Sequence, residues 1–181
     1  MRTLLVLALL SSLSCAVQQT GADGEASIDP VRTVVTPGET MDVTRHTTIH
    51  AQEFAVSRER VWGALMGAEA DFGMPLQSAD PVAGLAIYYL QTATPRIAGR
   101  HASSWLDCGR APGGAPRVNT YHLTLRLSAT LEPVAESATR VRLSLLGYAR
   151  DRGIVGDPLP CTSTGQLEKR ALAVLAARLG S

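Results

Sequence analysis

The sequence has almost no excess of charge of either sign and few aromatic side chains. Its 181 residues include 17 basic and 16 acidic side chains, for a formal net charge of +1, and Phe, Trp and Tyr together make up 4%. A near-zero balance provides no field that would draw nucleic acid or an anionic membrane to the whole molecule. The scarcity of aromatic residues also argues against a platform on which rings stack on bases. We therefore expect no nucleic-acid partner.

Short catalytic motifs are missing as well. The sequence contains no G-x-S-x-G elbow, no glycine-rich phosphate or dinucleotide loop and no H-E-x-x-H helix. His46 and His50 are four residues apart, but the Thr and Ile residues between them predict a strand, in which this spacing is about 13 Å, too long for one shared metal ion. We interpret both as solvated strand histidines. A hydrolytic group of His101 or His122 with Asp107 is the catalytic alternative. The prediction is a protein that is not an enzyme and holds no cofactor and no metal.

Residues 1–14 have the features of a signal peptide. One basic residue precedes an apolar run from Leu4 to Leu10, and small residues follow. The run is too short to cross a hydrocarbon core of about 30 Å. Ser12-Leu13-Ser14-Cys15 resembles the bacterial lipobox, whose cysteine is acylated and becomes the new N-terminus, so we predict lipidation at Cys15. The alternative is ordinary cleavage at Ser14 or Ala16, which would release a lipid-free protein.

The segment after the predicted cleavage site is polar and rich in small residues. Residues 15–30 are predicted to form a flexible tether between an acylated end and a folded domain. The expected location is the cell envelope, with the lipid holding the chain on a membrane, either on its periplasmic face or in the outer membrane. Secretion or a soluble periplasmic form remains the alternative.

Two further cysteines, Cys108 and Cys161, lie in loop-like surroundings. An exported chain meets an oxidising compartment, in which a pair of thiols tends to form a disulfide. We therefore predict a Cys108–Cys161 disulfide, with two separate buried thiols as the alternative. Neither cysteine has a second Cys or His at the spacing of a metal site.

Residues 31–181 are predicted to form a single α+β domain. A curved antiparallel sheet is expected to carry a short helix near its N-terminal side and a long C-terminal helix packed on one face. Helical periodicity begins after Ser57 and continues to Phe72, and strict alternation marks a strand at residues 120–131 and its partner from Arg140. A capping box formed by Ser163 and Gln166 is expected to open the last helix.

Two stretches of the chain resemble known domains. FAVSRERVWGAL, a strand that runs into a capped helix, resembles the opening of helix-grip domains, including START-like ligand carriers. DFGMPLQSADPVAGLAI is similar to the repeated domain of the lipoprotein component of the outer-membrane β-barrel assembly machinery. The resemblance covers roughly residues 47–180 and implies a helix-grip fold, an envelope location and a partner-binding role. It supplies no catalytic residue.

The sequence therefore favours a non-catalytic envelope lipoprotein that binds a protein partner at a membrane surface. The alternative is a carrier or sensor that holds a small apolar ligand between the sheet and the C-terminal helix. The candidate pocket residues for that alternative are Trp62, Tyr88, Tyr89 and Trp105, although large aromatic side chains most often belong to the core.

Overall fold

A computed structural model describes residues 24–36, 39–111, 113–153 and 156–180. Predicted features at residues 1–23, including Cys15, lie outside this range. Two short 3-10 helices, Ala102–Ser104 and Arg117–Asn119, also occur. The strands and α-helices are β1 Gly24–Thr36, β2 Glu39–Phe54, α1 Arg58–Met66, α2 Glu69–Phe72, β3 Leu76–Asp80, β4 Leu85–Thr92, β5 Arg96–Ile97, β6 Arg100–His101, β7 Leu106–Asp107, β8 His122–Ala135, β9 Ala138–Arg150, β10 Leu159–Ser163 and α3 Gln166–Leu179.

The main sheet is antiparallel, with strand order β1-β2-β9-β8-β4-β3. Strand β10 pairs with the end of β9 and with β7, and β5 and β6 form a separate two-stranded ribbon. Alternation explains the central pair, because every second residue of β8 from Leu123 to Leu131 and of β9 from Thr139 to Ala149 is buried on one face. The buried residues of this pair are Leu123, Leu125, Leu127, Ala129, Leu131, Thr139, Val141, Leu143, Leu145, Gly147 and Ala149.

Helices α1 and α3 pack on that buried face and on each other. Helix α1 contributes Val61 and Leu65, and α3 contributes the stripe of Leu167, Ala171, Leu172, Leu175 and Leu179. The predicted α+β class is confirmed at this level: an antiparallel sheet that is not closed, with few helices and a C-terminal helix on one face.

The helix predicted from Ser57 to Phe72 is interrupted. Helix α1 ends at Met66, where the N–H of Gly67 donates to the carbonyl oxygen of Gly63 and the N–H of Ala68 to that of Leu65, and α2 starts only at Glu69. The apolar spacing continues across the break because Phe72 is still buried. Periodicity therefore identified the buried face correctly and missed the interruption at glycine.

Three local predictions differ from the structure. Residues 24–30 of the predicted tether belong to β1, where backbone pairing with β2 orders them. Strands β3 and β10 were not predicted. Each is only five residues long, and four of the five residues of β3 are exposed. The predicted capping box does not form, because Gly165 occupies the N-cap and Ser163 bonds elsewhere.

Candidate functional site

The four candidate pocket residues do not surround one cavity. Tyr88 and Tyr89 are neighbours on β4, so their side chains point to opposite faces of the sheet. Tyr88 is 0% exposed, donates a hydrogen bond to the carbonyl oxygen of Leu65 at 2.7 Å and meets Phe72 edge-on. Trp62 is half-buried on α1. On β4, the structure therefore places Tyr88 in the core and Tyr89 on the outer face.

Trp105 is also a core residue. It is 1% exposed, and its indole N–H donates to the carbonyl oxygen of Ile97 at 2.9 Å. The guanidinium carbons of Arg100 and Arg170 lie 5.7 and 5.9 Å from the ring centroid, within the range of cation–π attraction. Arg170 also donates to the carbonyl oxygen of Ala98. Trp105 thus joins the 100–107 segment to α3.

The structure contains the disulfide that the sequence led us to expect. The sulfur atoms of Cys108 and Cys161 are 1.99 Å apart, and both residues are buried. Pairing between β7 and β10 places the two residues together, because Asp107 and Thr162 are ladder partners next to them. The bridge attaches the loop after β7 to the strand that leads into α3.

A buried polar cluster lies between the sheet and the start of α3. We call His50, Ser163 and Glu168 the α3 polar cluster. The Ser163 hydroxyl donates to Glu168 Oε1 at 2.7 Å and accepts the N–H of Gly165 at 3.0 Å. Glu168 is 0% exposed and His50 is 4% exposed. Oε2 of Glu168 and both ring nitrogens of His50 have no hydrogen-bond partner among the described residues.

Gly165 shows how closely α3 approaches the histidine. Its φ of +76° is in the left-handed region, and a methyl group built on it would collide with Nε2 of His50. The interpretation of His50 as a solvated histidine is therefore wrong, because the start of α3 covers it. The side chain of His46 lies outside the described residues.

Burial controls the charge state of this cluster. It raises the pKa of Glu168 above the ordinary value of 4.5, against the opposing effects of the Ser163 hydrogen bond and the Lys169 charge. It lowers the pKa of His50 below 6.5, and Lys169 acts in the same direction. The cluster resembles no activated nucleophile, because the Ser163 proton is donated to the carboxyl group and not to an imidazole. Because burial shifts the pKa of both Glu168 and His50, the stability of the protein should depend on pH.

Glu168→Gln should make the protein more stable than wild type at high pH. Below pH 4.5 the carboxyl group is neutral in folded and unfolded chains alike. Above pH 4.5 the carboxyl group is ionised in the unfolded chain but still protonated in the folded one. Wild type therefore loses stability as the pH rises, by at most about 1.4 kcal/mol per pH unit, until the pH exceeds the raised pKa of the folded state. Urea unfolding of both proteins between about pH 4 and pH 8 measures the difference.

The exposed Glu136→Gln is the control and should follow wild type. The effect of His50, whose depressed pKa lowers stability as pH falls below 6.5, is common to all three proteins and cancels in the comparison. Parallel curves for wild type and Glu168→Gln would show that Glu168 does not titrate differently in the folded state.

The histidines of the hydrolytic alternative are both exposed. His122 lines an open depression of about 380 Å³ together with Gln91, Thr124 and Arg150. The carboxylate of Asp107 accepts the N–H of Gly109 at 2.8 Å. No described contact joins this carboxylate to His101 or His122. The catalytic alternative stays a prediction without geometric support.

Within the described ranges, no three or more His, Cys, Asp or Glu side chains are placed to hold a metal ion. Of the helices in this part of the chain, none has the length and apolar content needed to cross a bilayer. No protein-family model matches the chain, and no curated protein is significantly similar to it. The resemblances to helix-grip and assembly-machinery domains therefore stay predictions.

Proposed function

We propose that the protein is a non-catalytic lipoprotein of the cell envelope that binds a protein partner at a membrane surface. The observation that carries the proposal is the leader that ends just before Cys15, with its apolar run and small residues before the cysteine. The disulfide supports it, because bridges of this kind persist in oxidising compartments outside the cytosol. Both observations favour export.

The helix-grip arrangement is the finer part of this proposal. Supporting it, α1 follows directly on strand β2, and α3 crosses the buried face of β9 and β2 near its own start. In such domains the C-terminal helix covers one sheet face. The opposite face would then be available to a partner.

The outer face of the sheet has a composition that suits a protein partner. Tyr89, Arg126 and Leu146 are cross-strand neighbours on β4, β8 and β9. Arg126 is exposed, and Tyr89 and Leu146 are partly exposed. Aromatic residues and arginine are enriched at protein interfaces relative to other surfaces. This row supports partner binding over the alternative of an enclosed apolar ligand, for which Tyr88 and Trp105 would have to line a cavity.

Cys15→Ala should remove the protein from the membrane fraction. Wild type purified from host membranes is expected to show an intact mass that starts at Cys15, carries acyl chains and lacks the two hydrogens of the disulfide cysteines. The variant has no thiol to acylate and should lose all added lipid. Intact-mass spectrometry and membrane fractionation measure both effects.

Gln18→Ala, three residues further along, is the matched control and should behave as wild type. A lipid-free wild-type mass that starts at Cys15 or Val17 in the soluble fraction would overturn the proposal. That result would favour the soluble carrier, for which native mass spectrometry should then find a co-purified lipid.

A further inference from the structure

The most exposed large apolar side chains lie at the tips of two adjacent hairpins. Val82, in the turn between β3 and β4, is 87% exposed, and Val134, near the turn between β8 and β9, is 47% exposed. Leu85, the first residue of β4, pairs with Thr130 of the antiparallel strand β8. The β3–β4 turn precedes Leu85, so it lies at the end of β8 that leads into the β8–β9 turn. The two valines therefore lie at the same end of the sheet.

The flanking residues extend the apolar character of this end. Pro81, Ala83, Pro133 and Ala135 are all exposed. We call residues 81–83 and 133–135 the apolar tip surface. The third exposed large apolar side chain among the described residues, Leu159, is only 38% exposed and pairs with Ala149 near the opposite end of β9.

The β3–β4 turn is ordered by polar groups that do not need a valine. Arg58 donates to the carbonyl oxygens of Pro81 and Val82 at 2.7 and 2.8 Å. Asp80 Oδ1 accepts the N–H groups of Val82 and Ala83, both at 2.9 Å. These bonds satisfy the turn through backbone atoms and Asp80, so the Val82 side chain has no structural role. A polar residue would fit the turn equally well, and the apolar one is presented to the exterior.

Gly84 adds to this rigidity. Its φ is +67°, and a methyl group built on it would lie 2.7 Å from the carbonyl oxygen of Leu131. The N–H of Leu131 donates to the carbonyl oxygen of Gly84 at 2.8 Å and ties the turn to β8. The Val82 tip is thus held in a defined position relative to the tip that contains Val134.

The first strand of the described chain also starts near this end. Phe54, the last residue of β2, pairs with Thr139, which pairs in turn with Pro133. Strand β1 runs antiparallel to β2 and begins with Gly24 opposite His50. The start of β1 therefore lies nearer to the end that contains Phe54 and the two tips than to the opposite end.

The position of Gly24 at the start of β1 limits how far a lipid anchor can be from the tips. Nine residue steps separate Cys15 from Gly24, and a fully extended chain of that length spans at most about 30 Å. A bilayer that holds acyl chains on Cys15 is then within reach of the tip end of the sheet. Through His50 and Leu143, Gly24 lies four residues from Thr139 and seven residues from Arg150 along β9, so the tip end is the nearer one by about 10 Å.

We infer that the apolar tip surface rests on the bilayer that holds the Cys15 lipid, so that the domain stands with this end toward the membrane. The inference rests on the proposed lipid anchor. Protruding apolar tips next to an anchoring point suit insertion into the headgroup region, which needs exposed apolar side chains but no shaped cavity. The far end of the sheet, with the depression next to His122, would face away from the membrane.

Single-cysteine labelling tests this orientation in the full lipidated chain. Acylated Cys15 has no free thiol and the other two cysteines are bridged, so Val82→Cys supplies the one reactive thiol for an environment-sensitive fluorophore. Ala93→Cys is the matched control: it is exposed and immediately follows β4, about 25 Å from the Val82 end at 3.3 Å per residue. Val134→Cys provides a second test position on the other tip. The labelled proteins are reconstituted into phosphatidylcholine vesicles with or without doxyl-labelled lipid.

We expect doxyl lipid to quench the Val82 and Val134 labels about threefold more than the Ala93 label, and iodide in the buffer to show the reverse order. Equal quenching at all three positions in a protein that remains on the vesicles would overturn the orientation and leave the lipid anchor intact. Shielding from iodide without quenching by doxyl lipid would also overturn it and would indicate contact with a second copy of the chain. A protein that carries no lipid would overturn the anchor and the orientation together.

Discussion

Replacing Cys108 and Cys161 together by alanine is expected to lower the free energy of unfolding by about 4 kcal/mol. The two cysteines are 53 residues apart in sequence, and the bridge restricts the unfolded chain by closing a loop of that length. It also fixes the loop after β7 to β10, next to the two-residue pairing of those strands. Urea unfolding of wild type and variant measures the loss as a lower midpoint.

Reduction of wild type with dithiothreitol separates the bridge from the packing of the substituted side chains. Reduced wild type should unfold at nearly the same urea concentration as the double alanine variant. Cys15→Ala, which leaves the bridge in place, is the control and should unfold as wild type does. Two reactive thiols in denatured, unreduced protein would contradict the disulfide itself.

Trp105→Ala is expected to cost about 3–5 kcal/mol of stability. The substitution empties the space of a fully buried indole, removes the hydrogen bond to Ile97 and leaves the guanidinium groups of Arg100 and Arg170 without their aromatic partner. Because Arg170 is on α3, the loss should also loosen the attachment of that helix. Thermal and urea unfolding measure the effect.

Two comparison variants show which property of the Trp105 indole causes the loss of stability. Trp62→Ala removes a half-buried indole from α1 and should cost clearly less, since less apolar area returns to water. Trp105→Phe keeps most of the ring but no N–H donor, so the loss should be intermediate. An unchanged midpoint for Trp105→Ala would mean that the indole lines a cavity instead of filling the core, which would revive the ligand-carrier alternative.

Local patterns predicted the regular elements well. Strict alternation from Tyr121 to Leu131 predicted β8 and its buried face, and the spacing of Val61 and Leu65 predicted the buried face of α1. The disulfide pairing followed from there being only two cysteines besides the predicted lipidation site at Cys15. Each of these features depends on residues that are near in sequence, or on a count, so no knowledge of the packing was needed.

The surroundings of single polar residues could not be predicted in the same way. His50 and Glu168 have ordinary polar neighbours in sequence, and no local signal distinguishes them from solvated residues. They are buried because the start of α3 lies across β2 and β9, and α3 is more than a hundred residues from β2 along the chain. Gly165 permits that approach through its left-handed backbone and missing side chain.

What the sequence alone determined is the class of the domain, its central hairpin, its cysteine pairing and the expectation of export. Only the tertiary structure decided that Tyr88 and Tyr89 belong to different environments on opposite faces, that Glu168 is enclosed, and that Val82 and Val134 lie at the same end of the sheet. Periodicity along a segment determines which of its faces is buried. Strand order and register determine which elements cover that face and at which end of the sheet two distant turns meet. They bring together residues that no local sequence pattern connects.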